Sequence, residues 1–200
     1  MSLTVNANTV STIAPIPQGT YLGVCNMLVD LGVQYNEAFK NSSRKVLIGW
    51  EIPSEQITID GEDKPRTISK RYTASLNESA NLRQDLAAWR GRDFTPEELA
   101  AFDLRSIVGT SCMINIIHRE SNGRTYANIQ SIMALPKGMP RGQLDDKPLV
   151  FDLDTGTVDD VDYLPRWIGN IIKKSTTYQE MLAQPQEITE LIEDDGELPF

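Results

Sequence analysis

Basic and aromatic side chains recur close together in three short stretches of this 200-residue chain. RKVLIGW (44–50) carries Arg44, Lys45 and Trp50, and RTISKRY (66–72) carries Arg66, Lys70, Arg71 and Tyr72. His118, Arg119, Arg124 and Tyr126 flank Asn122-Gly123. Guanidinium and ammonium groups hold phosphate oxygens, and flat aromatic faces accept stacked bases. That mixture is what sequence-independent recognition of a single strand requires. The candidate contacts are Lys45, Trp50, Arg66, Lys70, Arg71, Tyr72, Arg119, Arg124 and Tyr126, with Tyr21, Tyr35 and Phe39 as further aromatic options. Each has a plainer reading. Trp50, between Gly49 and Glu51, fits a core as well as a stacking platform. Lys70-Arg71 fits a solvated strand edge that discourages pairing. Trp89 shares helical spacing with Leu82 and Leu86 and belongs to a core.

Other chemistries find little support. The single histidine and two distant cysteines do not make a His/Cys metal site. His118 would have to serve any Ser-His-Asp triad, and it sits beside a turn without an accompanying motif. No glycine loop with Lys-Ser/Thr is present to cradle a nucleotide. Asp152, Asp154, Asp159, Asp160 and Asp162 form the one carboxylate group that a two-metal nuclease could use. DLDTG (152–156) lacks the spacing and closing glutamate of a calcium loop. The expectation is a binding protein, not an enzyme, with no cofactor or metal.

The formal net charge of −9 is unevenly spread. Residues 1–144 carry 15 Lys+Arg against 14 Asp+Glu, residues 145–174 carry 4 against 7, and residues 175–200 carry 0 against 7. A near-neutral body with an acidic end is compatible with an anionic ligand, which the average conceals. Cys25 and Cys112 lie in apolar runs and read as buried, reduced thiols. No apolar run approaches the roughly 20 residues of a membrane span. The N-terminus lacks a signal-peptide pattern. Cytoplasmic location, without a membrane partner, is expected.

The stretches that must position the candidates come in a readable order. GTYLGVCNMLVDLGV (19–33) reads as a long strand bent at its glycines. RKVLIGWEIP (44–53) is a second strand, ended by Pro53. Asp60-Gly61 is a turn signal leading into a third strand around Ile68 and Tyr72. Residues 78–91 have helical periodicity with Gly91 as the stop. Residues 95–109 open with Thr95, Pro96 and Glu98, a capping box followed by an apolar stripe. Residues 110–135 form a hairpin about Asn122-Gly123. Residues 147–160 suggest a short hairpin turning at 155–157, and residues 162–175 a helix beginning near Pro165. Residues 1–18, with Pro15 and Pro17, read as a flexible arm. Residues 176–200, without a basic residue, read as a disordered acidic tail.

Three strands, a helical insert and two strands is the order of an OB-fold. The expected fold is therefore mainly β, an OB-fold-like five-stranded Greek-key barrel with helices between strands 3 and 4. The barrel domain spans 19–138, and a C-terminal extension, 139–175, packs on it.

The ending EDDGELPF (193–200) is an acidic run followed by an apolar residue, Pro and Phe. It resembles the C-terminal tip of bacterial single-stranded DNA-binding proteins, with Glu193, Asp194, Asp195, Leu198, Pro199 and Phe200 matching. Gly196 interrupts the acids, and Leu198 stands where isoleucine is usual. NLRQDLAAWRGRDFTPEEL (81–99), LRSIVGTSCMINIIH (104–118) and GRTYANIQSI (123–132) resemble a family of phage and prophage proteins that are similar to OB-fold single-strand binders. The resemblance implies a phage single-stranded DNA-binding protein of replication, recombination or repair, acting in the host bacterium. It implies that Asp194, Asp195, Glu197, Leu198, Pro199 and Phe200 dock onto replication or repair proteins, the ring in an apolar pocket and the acids on its basic rim. The alternative is an adaptor that binds mainly protein and has little DNA affinity. Homo-oligomerisation is open.

Overall fold

A computed structural model describes residues 13–183. The chain is mainly β. Its strands are β1 (Gly19–Asn36), β2 (Asn41–Ile59), β3 (Glu62–Thr73), β4 (Ser111–Ser121), β5 (Arg124–Met133) and β6 (Leu149–Phe151). They form one sheet in the order β3-β2-β1-β4-β5, antiparallel throughout, with β6 added parallel to β1. Among the described residues four α-helices accompany it: α1 (Asn81–Arg90), α2 (Pro96–Ala100), α3 (Arg166–Ile172) and α4 (Thr176–Ala183).

Local sequence explains the framework. Asp60-Gly61 and Asn122-Gly123 have positive φ at both positions, and each pair turns the chain between paired strands. Thr95 and Glu98 form a reciprocal capping box at α2 with Pro96 at its start. The helix ends at Ala100, however, and Leu104–Ile107 is a separate 3-10 turn. β2 does not stop at Pro53. A register shift between Ile52 and Gln56 absorbs the proline, and pairing with β3 resumes at Gln56.

Two cores sandwich the sheet. On one face, Trp50, Ile48, Ile52, Ile68, Tyr72, Ile114 and Ile116 pack with Leu82, Leu86 and Trp89 of α1. The Trp50 and Trp89 rings lie 5.6 Å apart. A second cluster joins Val29, Leu31 and Leu47 of β1 and β2 to Leu153, Val161, Leu164, Ile168, Ile172 and Tyr178. The C-terminal extension thus contributes a core of its own.

Four further expectations are corrected. The sheet is not closed into a barrel: β3 and β5 approach without a ladder between them. Residues 147–160 supply one strand, β6, because Leu149–Phe151 finds open hydrogen-bonding groups beside Met27–Val29. The acidic region does not begin as disorder. Thr176–Ala183 is helical, held by Tyr178 in the second core and by Val33 N–H donating to Thr177 Oγ1 at 3.0 Å. The arm is not wholly free: Ile16 is buried in the first core, while Ile13 stays exposed.

Candidate nucleic-acid interface

The candidates divide into three groups by position. β3 and β5 are the two edges of the main sheet path, and β4 pairs with β5 so that Arg119 stands opposite Tyr126 and Ser121 opposite Arg124. Residues 13–16, 66–69 and 124–127 line one groove of about 720 Å³. Arg66 enters from β3, and Arg124 and Tyr126 enter from β5. Tyr126 is 47% exposed as a residue, so its ring is accessible for stacking. Arg66 donates to the Ala14 carbonyl. Arg119 and Arg124 enter no ion pair among the described residues. Among the described residues their guanidinium groups are thus left to meet an anionic ligand.

Lys45 and Arg71 form the second group. They share a polar cavity of about 410 Å³ with Ser75, Asn77, Ser79 and the start of α1. Lys45 Nζ donates to Thr73 Oγ1 at 2.7 Å, and its cross-strand partner is Thr73 itself.

The third group is structural. Trp50 is fully buried and cannot offer a face to a base. Its position between Gly49 and Glu51 left both readings open; burial against Trp89 decides for the core. Tyr72 is 3% exposed, and its hydroxyl donates to Asp85 Oδ2 at 2.8 Å. Burial, then the Asp85 charge, pushes the phenol's pKa up. Lys70 Nζ reaches the same carboxylate oxygen at 2.6 Å. Alternation places Ile68, Lys70 and Tyr72 on the core side of β3, while Arg71 faces outward. Lys70 and Tyr72 are therefore corrected from ligand contacts to supports of α1.

Asp152 and Asp154 come together with Asp30, with carboxylate oxygens within 4.8 Å of one another. Arginines hold them. Arg44 pairs with Asp30 and with Asp154, the latter at 2.7 Å, and Arg105 pairs with Asp152 at 2.5 Å. The cluster ties the C-terminal extension to β1, β2 and the 3-10 turn, and its charge is already opposed.

Three features escaped the sequence reading. Asp85 gave no signal, since its role depends on β3 lying beside α1. Ile16 is an isolated apolar residue between two prolines. Trp167 is 48% exposed and Tyr163 is 88% exposed. The spacing of Ile168 and Ile172 marks the inner face of α3 and could have placed Trp167 outside it.

No family model matches the chain, and no curated protein matches it. No helix among the described residues is long and apolar enough to cross a membrane. The docking candidates Asp194, Asp195, Glu197, Leu198, Pro199 and Phe200 lie outside the described residues.

Proposed function

We propose that this chain binds single-stranded DNA without marked sequence preference, as a phage-encoded protein of replication, recombination or repair in a bacterial cytoplasm. The observation that carries the reading is the groove between β3 and β5. It gathers Arg66, Arg124 and the exposed Tyr126 ring, with Arg119 directly across the ladder. Cations supply phosphate contacts and the ring supplies a stacking face. The fold reading is an OB-like arrangement with an open seam. Its support is the path β3-β2-β1-β4-β5 with α1 and α2 between β3 and β4. Lys45 and Arg71 extend the phosphate-binding surface. The acidic stretch 193–200 recruits replication or repair proteins through Leu198, Pro199 and Phe200. The chain acts by binding and carries out no reaction.

One observation favours the adaptor alternative. With Trp50 and Tyr72 buried, Tyr126 is the one aromatic side chain lining the groove among the described residues. A single platform suits modest affinity. Titration of labelled oligo-dT across a salt series separates the readings. Single-strand binding should weaken steeply with salt as phosphate contacts release counterions. Arg124→Ala should lower affinity and reduce the salt slope by about one. Tyr126→Ala should cost about 1–3 kcal/mol. Equal, weak binding to duplex and single strand would leave the adaptor role.

A further inference from the structure

Residues 13–16 form a wall of the proposed groove between the two edge strands, and Pro17 and Gln18 connect them to β1. Their attachment is sparse. Ile16 is 3% exposed and is the buried anchor, whereas Ile13 is 64% exposed. Arg66 donates to the Ala14 carbonyl, and His118 Nε2 donates to the Ile16 carbonyl at 2.8 Å. The His118 backbone N–H donates to Gln18 Oε1 at 3.2 Å, and Tyr21 Oη donates to the Pro17 carbonyl at 3.0 Å. Among the described residues, no backbone–backbone hydrogen bond joins 13–18 to β3 or β5. Pro15 and Pro17 have no N–H to offer an edge strand. The segment therefore covers the seam without pairing with it, and among the described residues the outward backbone groups of both edge strands have no ladder partner.

Such a segment is a strap, not a strand. It is held by one side chain and a few side-chain hydrogen bonds, and one of those uses a cation of the groove itself. We propose that the strap formed by residues 13–18 covers the seam side of the groove, engages Arg66 there and competes with single-stranded nucleic acid for that part of it. The chain would be a self-limited binder whose affinity is set by how often the strap leaves. When the strap is displaced, Arg66 exchanges the Ala14 carbonyl for a phosphate oxygen. Charge favours that exchange, because a guanidinium–phosphate contact is stronger than one to a neutral carbonyl. Space beside Thr67–Ser69 and Thr125–Ala127 opens at the same time. Apparent affinity is the open-state affinity multiplied by the open fraction.

This inference rests on the groove as the DNA site, and its test separates the two. Full-length parent, Ile16→Ala and the double variant Gln18→Ala with His118→Phe are titrated with oligo-dT at fixed salt. Ile16→Ala removes the buried anchor. The double variant removes two polar holds and leaves Ile16 in place, so a folding defect in the first does not end the test. Both should bind more tightly than the parent. A strap open a tenth of the time leaves about a tenfold gain to recover. Binding by the parent with no gain in a folded variant overturns the strap and spares the groove. Absence of binding in the parent and both variants overturns both. Binding that appears only in the variants supports both.

Discussion

Tyr72 Oη and Lys70 Nζ converge on one oxygen of Asp85, at 2.8 and 2.6 Å, across the contact between β3 and α1. The lysine also stands 5.2 Å from the centre of the Tyr72 ring. Two residues that look like a ligand-binding pair in sequence are thus engaged with one carboxylate.

That engagement separates stability from binding. Lys70→Ala should destabilise the fold, because the Lys70 and Asp85 side chains are only 28% and 20% exposed and the carboxylate loses its counter-charge. A loss of about 1–3 kcal/mol is expected in urea denaturation. Oligo-dT affinity and its salt slope should stay at the parent values. Arg71→Ala should behave in the opposite way, with unchanged stability and weaker binding. A Lys70→Ala protein of normal stability and reduced slope would return Lys70 to the ligand surface.

Alkaline pH should weaken the fold through buried thiols and phenol. Burial pushes Cys25 from its ordinary 9.0 up to about 12, and pushes Cys112 up as well. Tyr72 is raised from 10.0 by burial and by Asp85. The folded protein keeps these protons where the unfolded chain releases them. Stability is therefore fully present below pH 9 and falls as pH rises through and beyond the unfolded values. Urea midpoints measured from pH 7 to 11 should decline above about 9, and Cys25→Ala with Cys112→Ala should flatten the decline. At pH 8 neither thiol should react with iodoacetamide in the native state, since the thiolate is the nucleophile and both side chains are fully covered.

The acid limb has a different source. Arg92, the Thr95 N–H and Arg90 hold Glu98 down to about 2 from an ordinary 4.5. A carboxylate depressed in the folded state stabilises above its unfolded value, and that contribution is lost as pH falls from 4.5 towards 2. Glu98→Gln keeps the capping geometry and removes the charge. Its urea midpoint should therefore change less than the parent's between pH 5 and 3. Parallel curves for the two proteins would place the acid sensitivity elsewhere.

Turn chemistry and strand order could be read from sequence because they are local. Asn122-Gly123 and Asp60-Gly61 need positive φ, and the Thr95–Glu98 box needs only its own turn. What was missed depends on non-local contacts. β2 runs on past Pro53 because β3 continues beside it, and β6 exists because β1 has room for a parallel partner. Thr176–Ala183 is short and lacks a strong pattern, so its helix comes from packing on β1. In the site, alternation on β3 could have separated Arg71 from Lys70 and Tyr72. The approach of residues 13–16 to residues 124–127 had no signal in the chain.

The second core makes a further stability prediction. Ile168 and Ile172 are fully buried against β1 and β2, and Ser175 sits on Gly32. A Cβ on Gly32 would stand 2.7 Å from Ser175 Oγ, and the residue's φ is +69°. Gly32→Ala therefore combines a clash with backbone strain and should separate α4 from β1. Ile168→Ala should cost about 2–5 kcal/mol. If the extension were a passive appendage, both variants would unfold at the parent's urea midpoint.

The acidic C-terminal stretch should act on the same groove from a distance. Residues 184–200 carry six carboxylate side chains and no Lys or Arg, and among the described residues Arg119 and Arg124 of the body enter no ion pair. Because the segment is tethered, its carboxylates stay at high effective concentration near that body. They compete with phosphate for the same cations, so ending the chain after Ala183 should tighten oligo-dT binding. Salt decides how large the gain is. At about 0.01 M the screening length is about 30 Å and the competition is felt; at 0.15 M it shrinks to about 8 Å and the advantage should largely vanish. The shortened chain should therefore show a steeper salt slope than the parent, because its cations exchange small ions for phosphate with no internal carboxylate to displace. Combining the truncation with Ile16→Ala tests whether strap and acidic stretch act separately. Independent competitors give gains that multiply. A combined gain equal to the larger single one would mean that the acidic stretch works by holding the strap closed.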